Sequence, residues 1–222
     1  AKNSLASEKK DLGSWALPAN MREVYQKAFR LYQARLKAMN GLDFEDLILL
    51  TIRLFRENED VLGKYRDRFK YIMIDEYQDT NYAQYVLSHT LAQKHRNLFI
   101  VGDPDQSIYS WRGAEPENIR RFLRDYPEAR IIKLEKNYRS TKVILDAANA
   151  VIRHNCEREE KVLKTDNPVG EKLRRFRAVD GQEEAQFVAE TIAELVRQGY
   201  RYRDMAIFYR THAQSRYLEA AL

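Results

Sequence analysis

The sequence predicts an α/β protein whose parallel-sheet units follow a wholly helical segment, and three observations carry that expectation. Up to residue 69 apolar residues recur at three- and four-residue steps, the period of helices with one buried stripe. Beyond Phe69, short apolar runs alternate with amphipathic stretches, the order in which strands and crossover helices follow one another. The runs themselves, Tyr-Ile-Met-Ile at 71–74 and Leu-Phe-Ile-Val at 98–101, are continuous rather than alternating, as in parallel strands covered on both faces.

Taken in order, the first element is a helix over 21–39, where Asn20 and Glu23 resemble a capping box. Asn40-Gly41 breaks it, and Asp43 caps a second helix over 44–55 that is rich enough in Leu and Ile to be largely buried. Strands are then expected over 71–74, 98–101, 131–134, 173–179 and 205–209. Helices are expected over 83–92, 119–126, 142–153 and 183–197, with a last one starting near Ala213. Residues 157–170 turn polar, with Lys161, Lys164, Asp166, Asn167, Pro168 and Gly170, and read as a loop within the second α/β unit. The final helix reaches Leu222 without a capping signal, so the chain is expected to be a piece of a longer polypeptide.

Composition narrows the classes. With 222 residues, 44% of them hydrophobic, the chain can bury one sizeable core or two small ones. No apolar run is long enough to cross a bilayer, and residues 1–10 are too polar for a signal peptide. The one cysteine, Cys156, cannot close an internal disulfide or supply a structural zinc site; a packing role and a reducing, cytoplasmic setting follow. The net charge of +5 leans toward polyanionic partners, but 38 basic residues against 33 acidic ones also suit an ordinary solvated surface.

Four segments carry chemistry. The run 72–74 ends abruptly in Asp75-Glu76, and in a parallel sheet the carboxyl ends of strands face the ligand crevice. Asp75 suits a magnesium ion shared with phosphates, and Glu76 suits orientation or deprotonation of an attacking water; a helix cap or surface turn is the alternative. A second run, 98–101, opens into Gly102-Asp103-Pro104-Asp105-Gln106. Gln106 can hydrogen-bond both a water and a phosphate oxygen, which suits sensing of a terminal phosphate, while a plain Asp-Pro-Asp turn explains the loop but not its repeated placement at a strand end. Directly after it, Tyr109, Trp111 and Arg112 sit in a segment too polar for a core strand. The two rings are candidate platforms for unpaired bases, at about 1–3 kcal/mol per stacked base, against the alternative of a core tryptophan. Lastly, Arg139 follows the run 131–134 and precedes Ser140-Thr141, placed to meet charge developing on a phosphoryl group or to form a surface ion pair.

Three stretches, Asp-Glu-Tyr-Gln-Asp-Thr-Asn at 75–81, Gly-Asp-Pro-Asp-Gln-Ser-Ile-Tyr-Ser-Trp-Arg-Gly-Ala at 102–114 and Leu-Glu-Lys-Asn-Tyr-Arg-Ser-Thr at 134–141, closely resemble motifs II, III and IV of the UvrD/Rep/PcrA family of superfamily-one DNA helicases. A weaker likeness reaches from 41–44 to 209–216, so the resemblance covers most of the chain. It implies two partial RecA-like motor domains preceded by a helical insertion: the end of the insertion over 1–69, the later part of the first motor domain over 70–135, and the beginning of the second over 136–222. It further implies ATP and Mg2+ as cofactors, single-stranded DNA and single-strand/duplex junctions as partners, and 3′-to-5′ polarity. Carried onto this sequence, Asp75 holds magnesium with Glu76 beside it as water activator. Gln106 and Arg139 contact the terminal phosphate, and Tyr109, Trp111 and Arg112 meet single-stranded DNA. Arg210 and His212 match DNA contacts of the second domain, although relatives more often have Asn where His212 stands.

One departure from the family is large. None of the eight glycines lies in a Gly-x-x-x-x-Gly-Lys-Ser/Thr loop, so the cradle for the β- and γ-phosphates is expected from remaining segments of the same polypeptide. A catalytically silent DNA-binding or protein-interaction module with the same fold remains the alternative. A metal-dependent nuclease is a further one, with Asp103 and Asp105 as its extra carboxylates.

Overall fold

The computed structural model describes residues 19–155 and 161–222. Cys156 and part of the polar stretch 157–170 lie outside the described residues. The fold divides into two compact units, the first Ala1–Leu134 with Ile152–Lys161, the second Glu135–Val151 with Val162–Leu222.

The first described element of the first unit is α1 (Ala19–Ala38), and Asn20 lies within that helix and not ahead of it, contrary to expectation. The break at Asn40-Gly41 is formed as expected: Asn40 takes a left-handed conformation and the Gly41 N–H donates to Leu36 O at 2.8 Å. Asp43 then caps α2 (Phe44–Glu57) in a reciprocal capping box with Asp46. Only one side of α2 is buried, through Leu49, Ile52 and Phe55, whereas Phe44, Leu47 and Leu54 are exposed. Helix α3 (Glu59–Arg68), which the apolar pattern did not single out, brings the chain to the sheet.

Among the described residues that sheet has two strands, β1 (Ile72–Ile74) and β2 (Leu98–Ile100), paired in parallel with Ile72 beside Leu98 and Ile74 beside Ile100. Helix α4 (Tyr82–Ala92) makes the crossover and α5 (Glu117–Asp125) follows the second strand. Helix α4 is apolar on two sides because it serves two cores. Ala83 joins Leu49 and Ile52 of α2, while Tyr85 joins Tyr77, Phe122 and Tyr126 over the inner sheet residues Ile74, Leu98 and Ile100. Two-sided covering of the strands is not observed, since Met73 and Phe99 are exposed on the opposite face.

The second unit contains α6 (Lys142–Ile152) except its last residue, α7 (Gly181–Arg197) and α8 (His212–Ala221). Asp180 caps α7 by accepting from the N–H groups of Gln182 and Glu183, each at 2.9 Å. The start of α7 lies against Tyr217 of α8, where a Cβ on Gly181 would come within 3.1 Å of the ring. Phe176 stacks on Phe187 of α7 with ring centres 4.1 Å apart.

Three expected strands are corrected. Residues 131–134, 173–179 and 205–209 are extended or irregular and pair with no neighbouring strand among the described residues. Apolar composition favours a pleated surface, but a strand exists only through its ladder. Without one, Ile131, Ile132, Leu134, Leu173, Val179 and Phe208 stay exposed. In place of a strand pairing, the second unit has an isolated parallel bridge between Lys136 and Lys164. The architecture is therefore mixed, mainly helical with a small parallel sheet. Among the described residues no helix is long and apolar enough to cross a membrane.

Candidate functional site

Parallel pairing in register brings the carboxyl ends of β1 and β2 out side by side, and the ladder continues past both strands. Val101 N–H donates to Ile74 O at 2.8 Å, and Tyr77 N–H donates to Val101 O at 2.9 Å. Asp75-Glu76 and the loop 102–106 therefore emerge next to one another. Glu76 sits between the two ladder bonds with φ +49°, ψ +44°, a left-handed conformation that costs a non-glycine residue about 1–3 kcal/mol. Its N–H donates to Asp75 Oδ1 at 2.9 Å. The bend turns the chain into the short turn Tyr77–Asp79 and leaves both carboxylates exposed at the strand tip.

Gln78 joins the two tips. Its side chain is 1% exposed; Nε2 donates to Glu76 Oε2 at 2.7 Å, and Oε1 accepts the Asp103 N–H at 2.9 Å. Asp103 in turn accepts from Gln106 Nε2 at 2.8 Å through Oδ2, and from the Asp105 N–H at 3.0 Å and the Lys161 ammonium through Oδ1. Burial opposes ionisation of Asp103, but hydrogen bonds from Lys161 and Gln106 and the lysine charge together hold its carboxyl below the usual range. Lys161 also lies 3.4 Å from Asp105. One connected set of polar contacts thus runs from Glu76 to Gln106.

The loop continues to Tyr109, Trp111 and Arg112. Trp111 is 68% exposed, which excludes a core role, and its ring centre lies 6.4 Å from that of Tyr109. The Arg112 guanidinium sits 4.6 Å from the Trp111 ring centre and 5.1 Å from that of Tyr109. The far side of this loop is anchored to the turn after β1. Glu115 N–H donates to Thr80 O at 2.9 Å, and fully buried Asn118 donates to Thr80 O and Oγ1 at 3.0 and 3.2 Å. Arg121 completes the anchor by donating to Glu115 and Asn118.

In the second unit Arg139 is exposed at the entry to α6, on a turn formed by Asn137, whose Oδ1 accepts the N–H groups of Arg139 and Ser140 at 3.0 and 2.8 Å. Arg210 and His212 are exposed at the start of α8, where Gln214 Oε1 accepts the Arg210 and Thr211 N–H groups, each at 2.9 Å.

The sequence-predicted residues Asp75, Glu76 and Gln106 are thus brought together within the first unit, next to the loop bearing Tyr109, Trp111 and Arg112. Sequence reasoning missed Gln78, Lys161, Asn118 and Arg121. Gln78 and Asn118 carry no periodic signal, and Lys161 meets Asp103 from 58 positions along the chain. The exposed donor set fits the expected magnesium ion: two hard carboxylates at a strand tip leave most coordination positions to water and phosphate oxygens. The fit to a nuclease with two metals is poorer, because Asp103 is already engaged on both oxygens.

Comparison with known proteins adds to this geometry. Residues 1–127 match the family profile described as UvrD/REP helicase N-terminal domain, and residues 132–222 match the UvrD-like helicase C-terminal domain. The chain is 55% identical over 188 residues to the ATP-dependent DNA helicase PcrA of Staphylococcus aureus, covering 85% of this chain and 26% of that protein. It is 52% identical over 191 residues to the protein of the same name from Staphylococcus epidermidis, covering 86% and 26%. The chain spans about a quarter of the length of these curated relatives.

Proposed function

This chain belongs to the UvrD/Rep helicase family, and from that premise we propose that it is the central part of an ATP-dependent DNA helicase acting in the cytoplasm. ATP hydrolysis drives stepping along single-stranded DNA in the 3′-to-5′ direction and opens duplex at the junction ahead. Residues 1–69 are the end of a helical insertion, 70–135 the later part of a first RecA-like motor domain, and 136–222 the beginning of a second. The remaining segments of the same polypeptide supply the phosphate-binding loop that these residues lack.

The observation that carries this reading is the connected placement of Glu76 and Gln106 on neighbouring strand tips, with an exposed indole five residues further along. Asp75 and Glu76 hold Mg2+, and bound magnesium supplies neutralisation of the phosphate charge. Glu76 orients the attacking water and accepts its proton. Gln106 donates one amide N–H to Asp103; its second N–H suits a terminal-phosphate oxygen and its carbonyl accepts from the attacking water. Arg139 meets the charge that develops on the transferred phosphoryl group. Tyr109 and Trp111 stack on bases, Arg112 adds positive charge beside them, and Arg210 and His212 contact the DNA from the second unit.

In the full-length protein, Glu76→Gln should keep ATP affinity within a few fold while turnover falls roughly 10²-fold or more, the range of a positioned general base. Equilibrium binding of a fluorescent ATP analogue and steady-state phosphate release separate the two. A turnover rate equal to wild type would remove Glu76 from the role of base.

A further inference from the structure

We propose that Gln78 is a positioning residue that ties the side chain of Glu76 to the loop 102–107, so that water activation and terminal-phosphate sensing are held in one register. The inference rests on the assignment of Glu76 and Gln106 made above, and it concerns a residue that is 1% exposed.

Three features support it. The Gln78 amide is buried, and both of its ends are used: Nε2 on Glu76 at 2.7 Å and Oε1 on the Asp103 N–H at 2.9 Å. A carboxylate can only accept and a backbone N–H can only donate, so this pair of partners fixes the orientation of the amide. Next, Gln78 reaches the loop at two further places. Its backbone O accepts from Ser107 Oγ at 3.3 Å, and its Oε1 fills the space where Gly102 would carry a Cβ, 2.7 Å away. Finally, Glu76 is an exposed residue on a left-handed bend, a location that by itself gives a long side chain several rotamers. A buried donor at 2.7 Å selects one of them. The Asp103 N–H on the other end of the amide belongs to the residue whose carboxylate holds Gln106, so displacement of the loop is felt at Glu76 through one rigid side chain.

Two substitutions of different size break this strut. Gln78→Met keeps the length of the side chain but offers Glu76 no donor and the Asp103 N–H only a weak acceptor, whereas Gln78→Ala removes the side chain beyond Cβ. In the full-length protein without nucleotide, hydrogen exchange of a peptide covering 102–107 should be roughly tenfold faster in both variants. Both variants should lose roughly tenfold or more in DNA-stimulated kcat, because misplacement of a catalytic group by about 1 Å is enough for that, with KM for ATP within about twofold. Wild-type kcat or unchanged exchange in Gln78→Met would overturn the inference. Gln78→Met keeps the size of the side chain, so a failure of Gln78→Ala to fold leaves both tests intact. Should Glu76→Gln retain turnover, the base assignment fails, while the exchange pattern still judges whether Gln78 ties down the loop.

Discussion

At Gly102 the first unit has no room for a methyl group. A Cβ there would come within 2.7 Å of Gln78 Oε1, 3.2 Å of the Tyr77 N and 3.3 Å of the Gln78 N. Its φ is not positive, so space and not handedness requires glycine. Gln78 cannot swing aside without releasing Glu76 and the Asp103 N–H. Gly102→Ala in the full-length protein should therefore lower DNA-stimulated ATP turnover roughly tenfold, and a wild-type rate would show that the strand tips part without consequence. The acids Asp75 and Glu76 were legible in the sequence because a strand that ends in carboxylates is a local pattern. The glutamine two positions on was not, because its use depends on a loop 25 positions away. The same holds for Asn118, whose partner Thr80 lies 38 positions back.

At the scale of elements, α4 and α5 are held over the sheet by a cluster of rings in which His89 stacks on Tyr85 and meets Tyr126 edge-on. Burial, and after it the nearby Arg96 charge, push the His89 imidazole below its usual value. Asp125 at 3.8 Å would favour the charged form, but its carboxylate is engaged by the Tyr85 hydroxyl, and burial decides the direction. A histidine depressed in the folded state takes up its proton more readily when unfolded. Its contribution is full above about pH 6.5 and is lost as pH falls from there through the lower folded value. Protection of the α4 amides in the full-length protein, corrected for intrinsic exchange, should drop between pH 7.5 and 5.5, and less so in His89→Phe. Equal acid sensitivity in the two proteins would remove His89 from this role. Helices were the most legible elements, because Leu49, Ile52 and Phe55 declare a buried face through spacing alone. The runs 131–134, 173–179 and 205–209 were misread as strands because composition reports an apolar surface but not the presence of a partner.

For the molecule as a whole, the proposed function requires that hydrolysis and DNA contact be coupled, and the first unit gives this a short covalent span. Gln106 and Trp111 are five residues apart, and the loop between them is fixed at one end by Asp103 and at the other by Glu115 and Asn118 on Thr80. Trp111 itself is held only loosely, being 68% exposed with Tyr109 and Arg112 beside it. An indole so exposed contributes little to the fold, and its truncation leaves the anchoring contacts in place. Trp111→Ala in the full-length protein should weaken single-stranded DNA binding by about 1–3 kcal/mol, roughly five- to 150-fold, without regard to base sequence. ATP turnover at subsaturating DNA should fall by a similar factor, more than turnover measured without DNA. Fluorescence anisotropy with labelled oligonucleotides gives the first quantity and phosphate release with and without DNA the second. An equal loss with and without DNA would mean that the indole serves the catalytic end of the loop and not the strand being gripped.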